Sequence, residues 1–248
     1  MYCFYVKGTG ITASFRVPET HTFHQTLPLP SKTMMIGLMG AALGFSIQEV
    51  HAFAREQGIL VSVSGTHKGF MKDLWNYRKV TVKEKDFSQE KIKNRHHYSV
   101  ITREYLVFPL FTFVYASESK EPLEKIRDAF SHPVYALTAG NSDDLLKIEF
   151  CSEINDVQPE KLVDFKNTIL PGDMTQRFKY DIKSMIQEKP VTFSLRMPEV
   201  FSLPTDFSFD GDIRIGIEKR HFTFIRDQVT LHEPVDGYRI EGENYVFY

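Results

Sequence analysis

The sequence predicts an α+β protein: a ferredoxin-like arrangement, the scaffold also used by RNA recognition motifs, with a basic β-hairpin inserted in it and a β-rich region after it. Three observations lead there. Residues 1–150 read in the order strand, helix, helix, strand, insertion, strand, helix, strand, which is a split βαβ order with additions. Between Gly65 and Arg103 there are ten Lys/Arg against four Asp/Glu, with Phe70, Trp75, Tyr77, Phe87 and Tyr98 interleaved. After Lys147 the chain turns to short alternating strands with Pro and Gly breaks. The expected division is residues 1–150, carrying the insertion at about 65–103, and a small β-rich domain at 151–248.

YCFYVKGTGITASFRVP, rich in aromatic and β-branched residues but interrupted by Gly8 and Gly10, reads as one strand with a glycine bulge or as two short ones. Pro28 and Pro30 hold the next stretch extended, and Ser31 is placed to cap a helix over about Lys32–Phe45. IQEVHAFAREQG is a second helix closed by Gly58, and ILVSVSG is a strand. The insertion lacks steady periodicity and reads as a protruding hairpin. EYLVFPLFTFVYA is apolar and long enough for a central strand, with Pro109 marking a bulge or an edge position. Leu123–Phe130 reads as a helix, VYALTAG as a strand, SDDLL as a turn or short helix, and YRIEGENYVFY as a hairpin.

The 248 residues are 42% hydrophobic and 25% charged with a net charge of -2, so no polyanion partner follows from the total. The distribution says more, because the basic middle is matched by nine acids against five bases from Val200 onward. Cys3 and Cys151 give neither a disulfide framework nor a zinc spacing. No leader pattern and no apolar run of bilayer length are visible, so a cytoplasmic protein is expected.

Gly37, Gly40, Ala41 and Gly44 line one helical face with almost no side chain, which suits a helix pressed against its own sheet. At the other end of that helix Ser31, Lys32 and Thr33 offer N–H groups, a hydroxyl and a cation to an anion. Gly140, Asn141 and Ser142 form a second turn whose backbone suits a phosphate or simply closes a strand. In the insertion, Lys68, Lys72, Arg78, Lys79, Lys83, Arg95 and Arg103 supply charge for phosphates, while Trp75 and Tyr77 supply stacking faces. The competing readings are a solvated charged face and, for Trp75, a core anchor. Arg95, His96 and His97, with a nearby lysine or Tyr98, are candidates for metal-independent RNA cleavage, although adjacent strand histidines point to opposite faces. His21 and His24 have no third ligand, so no metal site is expected, and no cofactor motif appears. Arg16, before Val17 and Pro18, is either a phosphate contact or an exposed strand end.

ITASFRVPETHTFHQTLPLPSKTMMIGLMGAALGF, TREYLVFPLFTFVYA and HPVYALTAGNSDDLLKI resemble, in order, three blocks of the CRISPR-associated Cas-five family. The resemblance, closest to type I-B, implies a ferredoxin-like palm with the basic insertion as its thumb and a β-rich C-terminal domain. It implies a non-catalytic subunit of a type I interference complex (Cascade) that caps the 5′ handle of the guide RNA and nucleates backbone assembly. Arg16, Ser31, Lys32, Thr33, Gly140, Asn141 and Ser142 are the matched positions. The implied partners are the guide RNA, a Cas-seven-type backbone subunit, a large Cas-eight-type subunit and, only through the complex, target DNA, with no membrane. The alternative, by similarity to the type I-C branch, is a metal-independent endoribonuclease that matures repeat RNA using Lys93, His96 or His97, and Tyr98.

Overall fold

The computed structural model describes residues 1–80, 96–179, 197–211 and 213–248; side chains at 77–80 and 96–99 lie outside the description. The described chain is mostly strand, with three α-helices: α1 (Lys32–Leu43), α2 (Ile47–Glu56) and α3 (Lys120–Ser131).

The longer strands are β1 (Tyr2–Thr9), β2 (Leu60–Thr66), β3 (Gly69–Val80), β4 (His96–Val107), β5 (Leu110–Ser117) and β6 (Lys147–Cys151). They continue with β7 (Glu160–Phe165), β8 (Thr168–Pro171), β9 (Glu199–Asp210), β10 (Ile213–Ile225), β11 (Val229–Ile240) and β12 (Glu243–Tyr245). The main sheet runs β6, β1, β5, β2, β8, β10, β9, every neighbour antiparallel. Its first four members keep the ferredoxin-like order, with α1 and α2 between β1 and β2, and α3 between β5 and β6. A smaller sheet pairs β11 with β7, β12 and the short strand Phe178–Lys179.

Alternation along β1 gives this sheet two buried faces. Phe4 and Val6 point to the helical side, where Phe4 stacks on Tyr115 with centroids 5.6 Å apart and Tyr115 meets Phe130 of α3 at 5.3 Å. Cys3 and Tyr5 point to the other side, where Ile240 and Tyr245 cover them. Each aromatic side chain removed from water in this way contributes about 2 to 3 kcal/mol. Burial pushes the Cys3 thiol up to about 11, which keeps it an inert packing group.

Three expectations change. EYLVFPLFTFVYA is not one strand: β4 ends at Val107, Phe108 takes φ 47°, and β5 starts at Leu110. Pro109, which has no N–H to donate, therefore sits between two ladders, and β5 alone is the central strand. VYALTAG forms no strand beyond a Thr138–Leu145 bridge. Its amides are spent elsewhere, since Val134 and Tyr135 donate to Ala42 and Ala41 at the end of α1, and Ala139 donates to Asp144. The fourth sheet strand is β6 instead. The glycine face of α1 does not press on the sheet either. Gly37 faces open space, a Cβ on Gly40 would lie 3.0 Å from Val50 of α2, and Gly44 is the left-handed C-cap at φ 75° against Val134. Met35, Ile36, Leu38, Met39, Gly40 and Ala42 are the buried positions of α1, and Tyr115 donates to the Met35 carbonyl at 3.0 Å.

Candidate nucleic-acid interface

β3 and β4 pair over twelve positions, from Gly69 with Val107 to Val80 with His96, and make a long hairpin. Its root is held at three points, with its short partner strands forming a sheet separate from the main one. Thr12 and Ala13 pair with Val107 and Leu106, Phe23 and His24 pair with Thr102 and Arg103, and the Lys68 amide donates to the Val107 carbonyl.

At this root the Arg103 guanidinium lies over the Trp75 ring, 3.6 Å from its centroid, and its Nε is buried with no partner among the described residues. The partly exposed Trp75 is thus a cation-bearing surface platform rather than a core anchor. His24 sits beside Arg103 in the register; burial, then the charges of Arg16 and Arg103, hold its pKa below the ordinary histidine value. Lys72 and Lys68 are exposed, their ammonium groups over the rings of Phe23 and Phe108 at 5.1 and 5.2 Å. Arg16 is exposed and donates from Nε and Nη2 to the Thr20 carbonyl, closing the 17–25 loop while leaving its outer edge open.

Ser14 ties Arg16, the hairpin root and the glycine turn together. Its amide donates to the Ala139 carbonyl at 3.0 Å, and its hydroxyl donates to the Glu104 carbonyl at 3.0 Å. Gly140 has φ 114°, and a Cβ there would fall 1.9 Å from the Ser14 carbonyl oxygen, so only glycine allows this approach. The Asn141 amide and side chain donate to Asp144, which also accepts from Thr12. Asn141 therefore braces the turn rather than presenting its donors outward, while Gly140 and Ser142 are exposed.

The helix N-terminus departs from expectation. Ser31 is buried, makes no capping bond with its side chain, and lies 3.3 Å from the Thr33 hydroxyl. Residues 26–30 before it are buried as well, so the segment closes into the core. Lys32 lines a cleft of about 720 Å³ between α1, α2 and the β9–β10 hairpin, and none of the residues of the hairpin root lines it. Arg16, Trp75 and Arg103 do not line this cleft, so Lys32 does not share a cavity with them.

In that cleft His51 and Arg55, one turn apart on α2, bind the two oxygens of Asp206 at 2.9 and 2.7 Å. Burial lowers the His51 pKa against the opposing pull of Asp206. The i, i+4 spacing of His51 and Arg55 was readable in the sequence; their partner, 151 residues from Arg55, was not.

Tyr77, Arg78 and Lys79, with His96, His97 and Tyr98, occupy paired backbone positions of the hairpin, and their side chains lie outside the description. Lys83, Lys93 and Arg95 lie outside the described residues. Among the described residues no group of three His, Cys, Asp or Glu could hold a metal ion, and no single helix is long and apolar enough to cross a membrane.

Comparison with known proteins fits this architecture. The family described as CRISPR-associated protein (Cas_Cas5) matches residues 6–197. A chain of a "CRISPR RNA-guided surveillance complex" aligns with TM-score 0.54 and 16% identity over 94% of this chain and 91% of that one. A CRISPR protein from Archaeoglobus fulgidus aligns with TM-score 0.52 and 9% identity over 99% and 98% of the two chains. No curated protein sequence matches. The structural likenesses extend the shared fold over nearly the whole chain, and the sequence match, spanning well over half of it, shows that the chain belongs to the CRISPR-associated Cas5 family.

Proposed function

We propose that this protein is a non-catalytic RNA-binding subunit of a type I CRISPR interference complex, most like type I-B, which caps the 5′ handle of the guide RNA and nucleates assembly of the backbone. In this reading residues 1–150 are the palm, the β3–β4 hairpin is its thumb, and residues 151–248 are a β-rich second domain. The partners are a Cas-seven-type backbone subunit and a large Cas-eight-type subunit, with target DNA met only through the complex, in the cytoplasm. The observation that carries the reading is the Arg103–Trp75 stack at the hairpin root, beside Arg16 and His24 and beneath a basic hairpin. A half-exposed guanidinium lying on a half-exposed indole offers a cation for a phosphate and an aromatic surface for a base in one place, which is what an unpaired RNA segment needs.

A second reading, maturation of repeat RNA by the protein itself, draws on the register of the hairpin. His97 pairs with Lys79 and Tyr98 with Arg78, so acid/base positions sit opposite basic ones. One experiment separates the two. Incubated with its repeat RNA in EDTA, the protein is expected to retard the RNA and leave it intact; a discrete cut that is lost in His97→Ala establishes the nuclease reading instead.

A further inference from the structure

Of the four Lys and Arg side chains that line the cleft, three are ion-paired, and Asp173, the lining carboxylate that pairs with none of them, accepts from Thr175. Arg55 is held by Asp206 at 2.7 Å, Arg220 by Glu218 at 2.8 Å, and Lys219 by Glu19 at 3.4 Å. The half-buried Lys32 ammonium has no hydrogen bond or ion pair among the described residues, and the two carboxylates that act on it, Asp206 and Glu218, are already engaged by those arginines. Burial, followed by the charge of Arg220, depresses its pKa. An ammonium half withdrawn from water and bonded directly to no carboxylate favours an anion that binds it directly.

The remainder of the wall restricts which anion. Ile36, Ile59, Phe222 and Tyr248 line the cavity, the last two with ring centroids 5.0 Å apart, so an inorganic ion alone would leave this apolar wall bare. The Glu218 carboxylate, bound by Arg220 through Oε1, and the Thr205 hydroxyl also line the cavity and offer acceptors to N–H donors. The volume of about 720 Å³ falls among pockets that take small organic ligands. One negative charge, a flat body with apolar faces and an edge bearing amino donors together describe a nucleotide.

We propose that this cleft binds one nucleoside monophosphate unit, with its phosphate on Lys32 and its base against the wall of Ile36, Phe222 and Tyr248. The unit comes either from a free mononucleotide or from an RNA strand; the second source alone rests on the RNA-binding reading. The cleft adjoins the loop that carries Arg16, because Lys219 on its rim pairs with Glu19 of that loop.

The test uses the full chain with AMP, orthophosphate and single-stranded repeat RNA, each titrated into wild type, Lys32→Gln, Ala54→Phe and Arg103→Ala. Ala54→Phe fills the cleft from α2 and leaves every charge in place, and Lys32→Arg serves as the rescue. A free-nucleotide site shows AMP binding at least about tenfold tighter than orthophosphate, weakened about tenfold or more by Lys32→Gln and by Ala54→Phe, and unchanged by Arg103→Ala. An RNA-borne unit shows no AMP binding, with RNA affinity reduced to the same degree by both cleft variants. The proposal is overturned if variants that melt like wild type keep both affinities, if orthophosphate binds as tightly as AMP, or if Lys32→Gln weakens binding and Ala54→Phe does not. Wild type that binds AMP but no RNA sinks the RNA reading and leaves the site standing.

Discussion

Replacing Gly140 by alanine tests the junction on which the interface depends. The new Cβ would lie 1.9 Å from the Ser14 carbonyl oxygen, 2.8 Å from its carbon and 3.4 Å from its nitrogen, all of them backbone atoms that no rotamer change can clear. The residue also holds φ 114°, where a side chain costs about 1 to 3 kcal/mol before any clash is counted. Relief requires Ser14 to withdraw, which strains its bonds to Ala139 and Glu104, each worth about 1 kcal/mol. Together these effects amount to about 3 to 5 kcal/mol. At ~2 to 4 °C per kcal/mol for a chain of this size, the melting temperature should fall by roughly 6 to 20 °C. Gly37→Ala is the internal control: it lies in an exposed helix interior with nothing within 4 Å, so it should gain about 1 kcal/mol and melt a few degrees higher. Differential scanning calorimetry on both variants, with RNA titration well below either transition, reads the outcome. Because Ser14 also positions the strand that carries Arg16, Gly140→Ala should weaken RNA binding as well as stability. A Gly140→Ala protein that melts within about 2 °C of wild type would refute the close approach.

Three further outcomes follow from the geometry. Arg103→Ala should cost about 1 to 3 kcal/mol in RNA affinity and shallow the salt dependence by about 0.7 for each phosphate it ceases to neutralise, whereas Arg103→Lys should keep most of the salt slope and forfeit the stacking contribution; equal slopes in wild type and Arg103→Ala would remove Arg103 from the interface. Charge reversal at Lys79 and Lys83 should weaken RNA binding and flatten its salt dependence, and an unchanged slope would take both positions out of the site. Chemical denaturation should show stability falling in two steps as pH is lowered. His51, buried and held below its unfolded value of ~6.5, contributes stability that is present above that pH and is lost as pH falls toward its folded pKa. Asp206 is raised by burial but lowered further by Arg55, the Phe207 amide and His51, so its contribution is present above ~4 and lost below. His51→Gln should abolish the upper step; its persistence would place that titration elsewhere.

The helices and central strands were legible because their signals are local. Ser46 with Glu49 forms the capping box that starts α2, and Gly44 and Gly58 stop α1 and α2 with positive φ. Aromatic and β-branched composition marked β1, and apolarity and length marked β5. What failed needed a partner distant in sequence. VYALTAG has strand composition, yet its amides are claimed by the end of α1, and no local pattern records that. The small face of α1 was visible, but whether it met a sheet or α2 depended on where Val50 falls in three dimensions. Lys32 was singled out for its helix position, while the geometry that gives it a role comes from residues 206 and 218–220. The hairpin root was half legible: charge and aromatics named Trp75 and Arg103, and only the register joined them to Phe23 and His24.

Thr66 and Leu110 face each other across the β2–β5 ladder, so the chain leaves the sheet and returns to it at adjacent points. Everything between is an excursion, and the sheet does not register its length. Adding one residue to each arm would lengthen the hairpin by ~3.4 Å and leave every strand pairing of the main sheet unchanged. If the proposed RNA-binding reading holds, the root would set where RNA is first held and the length of the arms how far along it the protein reaches. Hairpin length is in this sense an adjustable ruler mounted on a fixed base.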